Sequence, residues 1–191
     1  MRPDSPGTVW LLTPIKLCQL YMLEGGKDPA AKALVEFERA QADDTSDNSK
    51  FARLDSLAKS AFEAEDLKKA AQYANELLET AQKYPKDWNY GNAIHHGNNV
   101  LGRIALKQGD TKQAGEYLLK AGQTPGSPQL NSFGPNMSLA KELLEKGEKE
   151  VVLQYLELCQ KFWKMGGEKL DNWKNDVSAG NGPDFGANLK Y

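Results

Sequence analysis

The chain contains 191 residues, of which 40% are hydrophobic, and its 24 basic and 26 acidic side chains give a net charge of -2. This length and composition predict one domain, or one short array of repeats, with a buried core. The near balance of charge argues against a general nucleic-acid binder. The longest apolar run near the start, residues 9–12, falls far short of the ~18 residues of a membrane-spanning helix. We therefore expect no membrane insertion and a cytoplasmic protein, with export through a removed signal peptide as the alternative.

A leucine followed by a small residue recurs four times along the chain. The pairs are Leu17-Cys18, Leu57-Ala58, Leu101-Gly102 and Leu139-Ala140. Successive leucines are separated by 40, 44 and 38 residues. Seven residues after each small residue stand Gly25, Glu65, Gly109 and Gly147. One helical hairpin repeated about four times explains this pattern.

Four units of two helices each are predicted to follow a flexible leader over residues 1–11. Their approximate bounds are 12–42, 49–85, 88–122 and 132–165. The third unit carries the clearest signals. Apolar residues recur at helical spacing over 98–107, Gly109 can take the left-handed conformation that ends a helix, and Asp110 can cap the next one. The segment 122–135, with three prolines and three glycines, is predicted to be a long loop.

Residues 166–191 are predicted to form a capping helix and a glycine-rich tail. A helix over 168–177 is indicated by apolar residues at helical spacing, namely Leu170, Trp173 and Val177. This helix would cover the open side of the last hairpin, as a repeat array requires at its end. The residues beyond it include Phe185 and Tyr191. These aromatic side chains either fold back onto the array or contact a second copy or a partner.

The third unit resembles the tetratricopeptide repeat. Residues 101–110 read LGRIALKQGD and residues 114–121 read AGEYLLKA, so they contain the leucine–glycine pair, the turn glycine and the later alanine of that family. The resemblance extends more loosely over about residues 12–163. It implies an all-α fold, namely a right-handed superhelical α-solenoid of antiparallel helix pairs that ends in a C-terminal capping helix. In such a solenoid the first helices line a concave groove.

The resemblance also implies which residues face this groove. Carried onto the third unit, the groove positions are Asn99, Arg103, Leu106 and Lys107, with His96 one turn earlier. The position after the small residue holds a cation in three consecutive units, and these cations are Lys59, Arg103 and Lys141. A row of cations along one wall favours a carboxylate or an acidic peptide segment. The alternative is a solvated helix face without a ligand.

The two histidines of the chain, His95 and His96, are adjacent and lie in an asparagine-rich run. Successive side chains of a helix point about 100° apart, so both cannot bind one metal ion. No cysteine or carboxylate stands at ligand spacing from either of them in the sequence. We therefore predict a role in the groove or in helix packing, and we expect no metal, no cofactor and no catalytic residue.

Three functions follow from different features. The leading hypothesis is a non-catalytic protein-interaction module or scaffold, not an enzyme, that binds a protein or peptide segment in the groove. The second is a structural subunit that self-associates or docks into a larger complex through Trp163, Trp173, Phe185 and Tyr191. The third is an enzyme or nucleic-acid binder that uses residues 95–99.

Overall fold

The computed structural model describes the backbone of Leu34, Glu38 and residues 47–190, and the side chains of Leu34, Glu38 and residues 52–190. This part of the chain contains eight α-helices and no β-strand, which confirms the all-α class for these residues. The helices are α1 (Asp47–Glu63), α2 (Leu67–Lys83), α3 (Tyr90–Lys107), α4 (Thr111–Gly122), α5 (Pro128–Phe133), α6 (Ser138–Leu144), α7 (Lys149–Phe162) and α8 (Gly167–Ala179). The predicted leader and most of the predicted first unit lie outside the described residues.

The helices pack mainly against their neighbours in sequence. Helix α1 packs against α2, α2 against α3, and α3 against α4. The turns within the pairs α1–α2 and α3–α4 are short, residues 64–66 and 108–110, so the helices of each pair run antiparallel. Helix α3 also contacts α1, while α7 contacts α4, α6 and α8. Three helix pairs therefore follow one another along the described chain, the third formed by α6 and α7.

The three leucine–small pairs in the described part of the chain lie in the core between these helices. Leu57, Leu101 and Leu139 are buried, and so are the small residues that follow them. A Cβ at Gly102 would lie 2.3 Å from Leu139 Cδ2 and 3.1 Å from Tyr117 Cβ. Because such distances are too short for carbon atoms, a larger residue at position 102 would require Leu139 and Tyr117 to shift. At Gly102 the sequence pattern thus marks a point of close helix approach.

In the three described units, the residue seven positions after the small residue lies in the turn between paired helices. Gly109 and Gly147 have φ of +86°, and Glu65 at the matching position has φ of +60°. This left-handed conformation suits glycine and strains a residue with a Cβ. Asp110 caps the following helix, as predicted, because its Oδ1 accepts the N–H of Gln113 at 2.8 Å. The three turns therefore share one backbone geometry.

Replacing Glu65 with glycine should raise the melting temperature by about 2 °C, because glycine relieves the left-handed strain. Glu65→Ala is the matched control. Both variants lose the exposed ion pair in which Lys107 Nζ lies 2.7 Å from Glu65 Oε1, but only the alanine variant keeps a Cβ. Thermal unfolding followed by circular dichroism measures both. A glycine variant no more stable than the alanine variant would contradict strain at this turn.

Two helical segments lie outside the apolar pattern of the sequence. Helix α3 begins at Tyr90, inside the predicted unit 88–122 and about two turns before the apolar spacing that starts at residue 98. Its first turns contain polar residues such as His95, which is buried and hydrogen-bonded. The apolar pattern therefore does not reveal these turns. The segment predicted as a loop contains α5, which begins with Pro128. The hydroxyl of Ser127 caps it by accepting the N–H of Leu130 at 3.0 Å.

Helix α8 covers one side of α7 at the C-terminal end of the described chain. Its buried residues are Leu170, Trp173 and Val177, the three whose spacing predicted this helix. Two short 3₁₀ turns, Lys164–Gly166 and Gly186–Leu189, lie before and after it. Among the described helices, none has the length and apolar character that crossing a bilayer requires.

Candidate functional site

Side chains on one side of α1, α3 and α6 meet one another across the helices. Lys59 Nζ of α1 lies 3.2 Å from His96 Nδ1 of α3. Arg103 of α3 reaches Glu63 of α1, with Nη1 3.5 Å from Oε1, and Glu142 of α6, with Nη2 2.7 Å from Oε1. These contacts show that the three helices present one continuous surface. We call it the polar face, and its residues are Asp55, Lys59, Glu63, His96, Arg103, Lys107 and Glu142.

Each cation predicted for the groove has a carboxylate partner from this chain. The N···O distances are 2.9 Å for Lys59–Asp55, 2.7 Å for Arg103–Glu142, 2.7 Å for Lys107–Glu65 and 3.9 Å for Lys141–Glu145. Water screens such partly exposed pairs, so they add little stability. They do lower the net positive charge that the surface presents to a ligand. The predicted row of cations is therefore a row of ion pairs.

Arg103 is held from three directions. Its guanidinium carbon lies 4.3 Å from the centre of the Phe62 ring. Its Nε donates to Glu142 Oε1 at 2.8 Å, and Glu63 lies on the opposite side. The planar guanidinium suits both the aromatic contact and the carboxylate contact. The orientation of Arg103 is thus set by residues of this chain before any ligand binds.

Asp55, Lys59 and His96 form a hydrogen-bonded cluster at one end of the polar face. Asp55 Oδ2 accepts a hydrogen bond from Lys59 Nζ at 2.9 Å and lies 3.0 Å from His96 Nδ1. Burial alone would raise the pKa of the Asp55 carboxyl, but the charges of His96 and Lys59 and their hydrogen bonds outweigh burial and hold this pKa well below its usual range. Asp55 is therefore ionised at neutral pH.

A cavity of about 240 Å³ lies beside this cluster, between α1, the start of α3 and α5. Its polar and aromatic lining residues are Asp55, Ser56, Trp88, Asn89, Asn92 and Gln129. The side-chain nitrogen of Asn92 donates to Asn89 and, at 3.3 Å, to Gln129 Oε1. The Asp55 Oδ1 atom is buried and has no hydrogen-bond partner among the described residues. The cavity thus adjoins a carboxylate with one unsatisfied oxygen.

His95 and Asn99 point away from the polar face and bind the segment before α6. His95 is fully buried, its Nδ1 lies 3.3 Å from Ala121 O, and its Nε2 accepts the N–H of Asn136 at 3.2 Å. The Asn99 amide, predicted to contact a peptide, is also buried and donates to Asn136 O at 3.2 Å. Since an N–H occupies Nε2, the proton of the neutral ring is on Nδ1. Both side chains hold the fold together at this point.

No protein-family model, curated protein or solved structure matches this chain. The resemblance to the tetratricopeptide repeat therefore rests on the residues of the sequence that carry it. The described residues also contain no group of three or more histidine, cysteine, aspartate or glutamate side chains that could hold a metal ion. The function has to be argued from the polar face and its cavity.

The C-terminal aromatic residues are packed inside the chain. Trp163, Trp173 and Phe185 are buried, with ring centres 5.7 Å apart for the two tryptophans and 5.0 Å apart for Trp173 and Phe185. Trp173 Nε1 donates to Asp184 O at 2.9 Å, so the tail folds back onto α8. These three residues offer no exposed surface to a partner in this arrangement, and Tyr191 lies outside the described residues.

Sequence reasoning missed two features of the site. Asp55 bonds His96 across 41 residues, which no local spacing reveals. Trp88, which is 58% exposed at the cavity, stands at the start of the predicted unit 88–122 but belongs to no repeated pattern. One signal was available, because Asp55 stands four residues before Lys59 and therefore on the same side of α1.

Proposed function

We propose that this chain is a non-catalytic protein-interaction module, built as a right-handed superhelical solenoid, that binds a peptide segment along the polar face. The observation that carries the proposal is the set of side-chain contacts linking α1, α3 and α6 across one surface. Side chains of consecutive helix pairs thereby meet on one surface, and repeat proteins build extended binding surfaces in this way. The proposal includes no chemical reaction.

The chemistry of the polar face favours a polar peptide with both donors and acceptors. Cations and carboxylates alternate across the surface, as in the pairs of Lys59 with Asp55 and Arg103 with Glu142. An acidic peptide would have to displace these carboxylates, and each displacement would leave a charge without its partner. An acidic peptide segment is therefore not the ligand that this surface favours. A ligand that adds donors to the existing carboxylates would meet no such obstacle.

Affinity capture from native lysate with three baits tests this function. The baits are the wild-type chain, a polar-face variant with Lys59, Arg103 and Lys107 changed to alanine, and a control variant with Lys68, Lys112 and Lys161 changed to alanine. The control residues are exposed lysines on α2, α4 and α7, so both variants lose the same charge. All baits must first show equal helicity and melting temperature. We expect partners that the wild type and the control retain and the polar-face variant loses.

Hydrogen exchange on the captured complex then locates the contact. Protection of α1, α3 and α6 on binding would support the proposal, because these helices carry the polar face. Protection confined to α8 and the tail would replace the module with the assembly subunit. Equal capture by all three baits would rule out the polar face as the binding surface.

A further inference from the structure

The cavity beside Asp55 has the size of a site for one side chain. Its volume of about 240 Å³ is below the roughly 300–1,000 Å³ of sites that enclose drug-sized ligands. Asp55 is the one charged residue among its described lining residues, and the remaining polar lining consists of a serine, two asparagines and a glutamine. The cavity is therefore lined by one carboxylate and by neutral hydrogen-bonding groups, with Lys59 and His96 on the Oδ2 side of that carboxylate.

The two oxygens of Asp55 have different surroundings. Oδ2 already interacts with Lys59 Nζ at 2.9 Å and with His96 Nδ1 at 3.0 Å. Oδ1 is buried without a hydrogen-bond partner in the described part of the chain. A buried acceptor on a charged group is costly to leave unsatisfied, so a donor that reached Oδ1 would gain more than it would at a solvated carboxylate.

We propose that the cavity takes the ammonium group of a lysine side chain, with Asp55 Oδ1 as its acceptor and the indole of Trp88 against its stem. This inference rests on the proposed function, because it names the side chain by which a peptide on the polar face is anchored. Trp88 is 58% exposed and stands at the cavity, where an aromatic ring attracts a cation. Since Oδ1 is enclosed, a lining side chain changes rotamer when the ammonium enters.

The geometry favours lysine over arginine. A guanidinium binds a carboxylate best through two parallel hydrogen bonds to both oxygens. At Asp55 only Oδ1 lacks a hydrogen-bond partner among the described residues, because Lys59 and His96 interact with Oδ2. An ammonium group is a compact point charge that needs one oxygen and can turn its other donors toward neutral acceptors in the lining. An acidic side chain is excluded by repulsion from Asp55.

Titrations with capped single amino acids followed by NMR test the proposal. The probes are Nα-acetyl-lysine methylamide, the norleucine analogue, which has a similar stem without the ammonium, and the arginine analogue. The indole N–H signal of Trp88, assigned with Trp88→Phe, is the readout. We expect a saturable shift with the lysine probe, a Kd at least about tenfold higher for arginine, and no shift with norleucine. Equal shifts from lysine and norleucine would overturn the proposal.

Variants distinguish loss of the Asp55 carboxylate from loss of folding. Asp55→Asn should raise the Kd of the lysine probe at least about tenfold, while Glu157→Gln on the exposed side of α7 should leave it unchanged. If Asp55→Asn does not fold, Trp88→Ala takes its place, because an exposed side chain can be removed safely. It should raise the Kd about two- to fivefold, read from the Asn92 amide signals. An unchanged Kd in a folded Asp55→Asn variant would overturn the proposal.

The two proposals fail separately. A saturable lysine shift without any partner captured by the polar face would support the ammonium site and remove the peptide module. Captured partners that protect α1 and α3 without any lysine-specific shift would support the module and overturn the ammonium site.

Discussion

Replacing Gly91 with alanine is expected to destabilise the protein by at least about 3 kcal/mol, more than most added methyl groups do. A Cβ at Gly91 would lie 1.8 Å from Gly126 O and 2.4 Å from Gly126 C. These are backbone atoms, so no change of rotamer relieves the overlap. The loop is also fastened at this point, since Thr124 Oγ1 donates to Gly91 O at 2.8 Å. Urea denaturation measures the loss as a lower midpoint.

Gly167→Ala is the matched control for this substitution. Gly167 lies at the start of α8 with a helical φ of -50°, and an added Cβ there meets no atom within 4 Å. We expect the control to be unchanged or up to about 1 kcal/mol more stable, because alanine favours helix. A loss below about 1 kcal/mol for Gly91→Ala would show that the loop does not pack against the start of α3 in solution.

The parts of the fold that the sequence predicts well are those decided by local chemistry. Gly109 ends α3 in the left-handed conformation, and Asp110 caps α4, because both effects act within a few residues. The leucine–small pairs at 57–58, 101–102 and 139–140 are buried, and a small residue is needed where helices approach closely, as at Gly102. These signals repeat with each hairpin, so the register of the repeat follows from the sequence alone.

The burial of His95 and Asn99 within α3 could not be predicted because it has a non-local cause. His95 and Asn99 are polar, and a hydrophobic pattern treats them as surface residues. In the structure they are buried, and hydrogen bonds to Ala121 and to Asn136 satisfy them. These partners stand 26 to 41 residues further along the chain. Only the tertiary arrangement shows that polar residues here behave as core.

The candidate site was predicted in part. The register placed Lys59 and Arg103 at matching positions of consecutive units, and the structure brings both to the polar face. What the register could not show is the charge facing each cation. Glu142 belongs to the next unit and meets Arg103 only when α6 packs beside α3. The cations that form a positive row in the sequence are therefore paired with carboxylates in the structure. The expected ligand changes accordingly from an acidic segment to a polar one.

On the polar face, one carboxylate oxygen of Asp55 has no hydrogen-bond partner among the described residues. Arg103 and Lys107 are matched by carboxylates at 2.7 Å, but Asp55 keeps an oxygen without a partner in the described chain. The unsatisfied group is an acceptor rather than a donor. A ligand that completes the surface must therefore supply a hydrogen-bond donor, and an ammonium group supplies a charged one.

Wild-type stability should fall by about 2 kcal/mol between pH 7 and pH 5 through His95 alone. Burial and the neighbouring charge of His96 lower the pKa of His95 from 6.5 to about 3. Below pH 6.5 the unfolded chain therefore binds a proton that the folded chain does not. The stability that His95 contributes is fully present above pH 6.5 and is lost as the pH falls toward 3. Urea midpoints at several pH values above the carboxyl range measure this slope.

Two variants isolate the histidine responsible. His95→Gln removes the titrating ring and can still donate to Ala121 O and accept from Asn136 N–H, so its stability should lack this fall between pH 7 and pH 5. His96→Gln keeps His95 and should still lose stability on acidification. The groups that face His95 include the His96 ring at 5.3 Å and the Tyr155 ring at 6.4 Å between centres. Parallel pH profiles for wild type and His95→Gln would show that folded His95 accepts a proton near its ordinary pKa, which is incompatible with its hydrogen bond from Asn136 N–H.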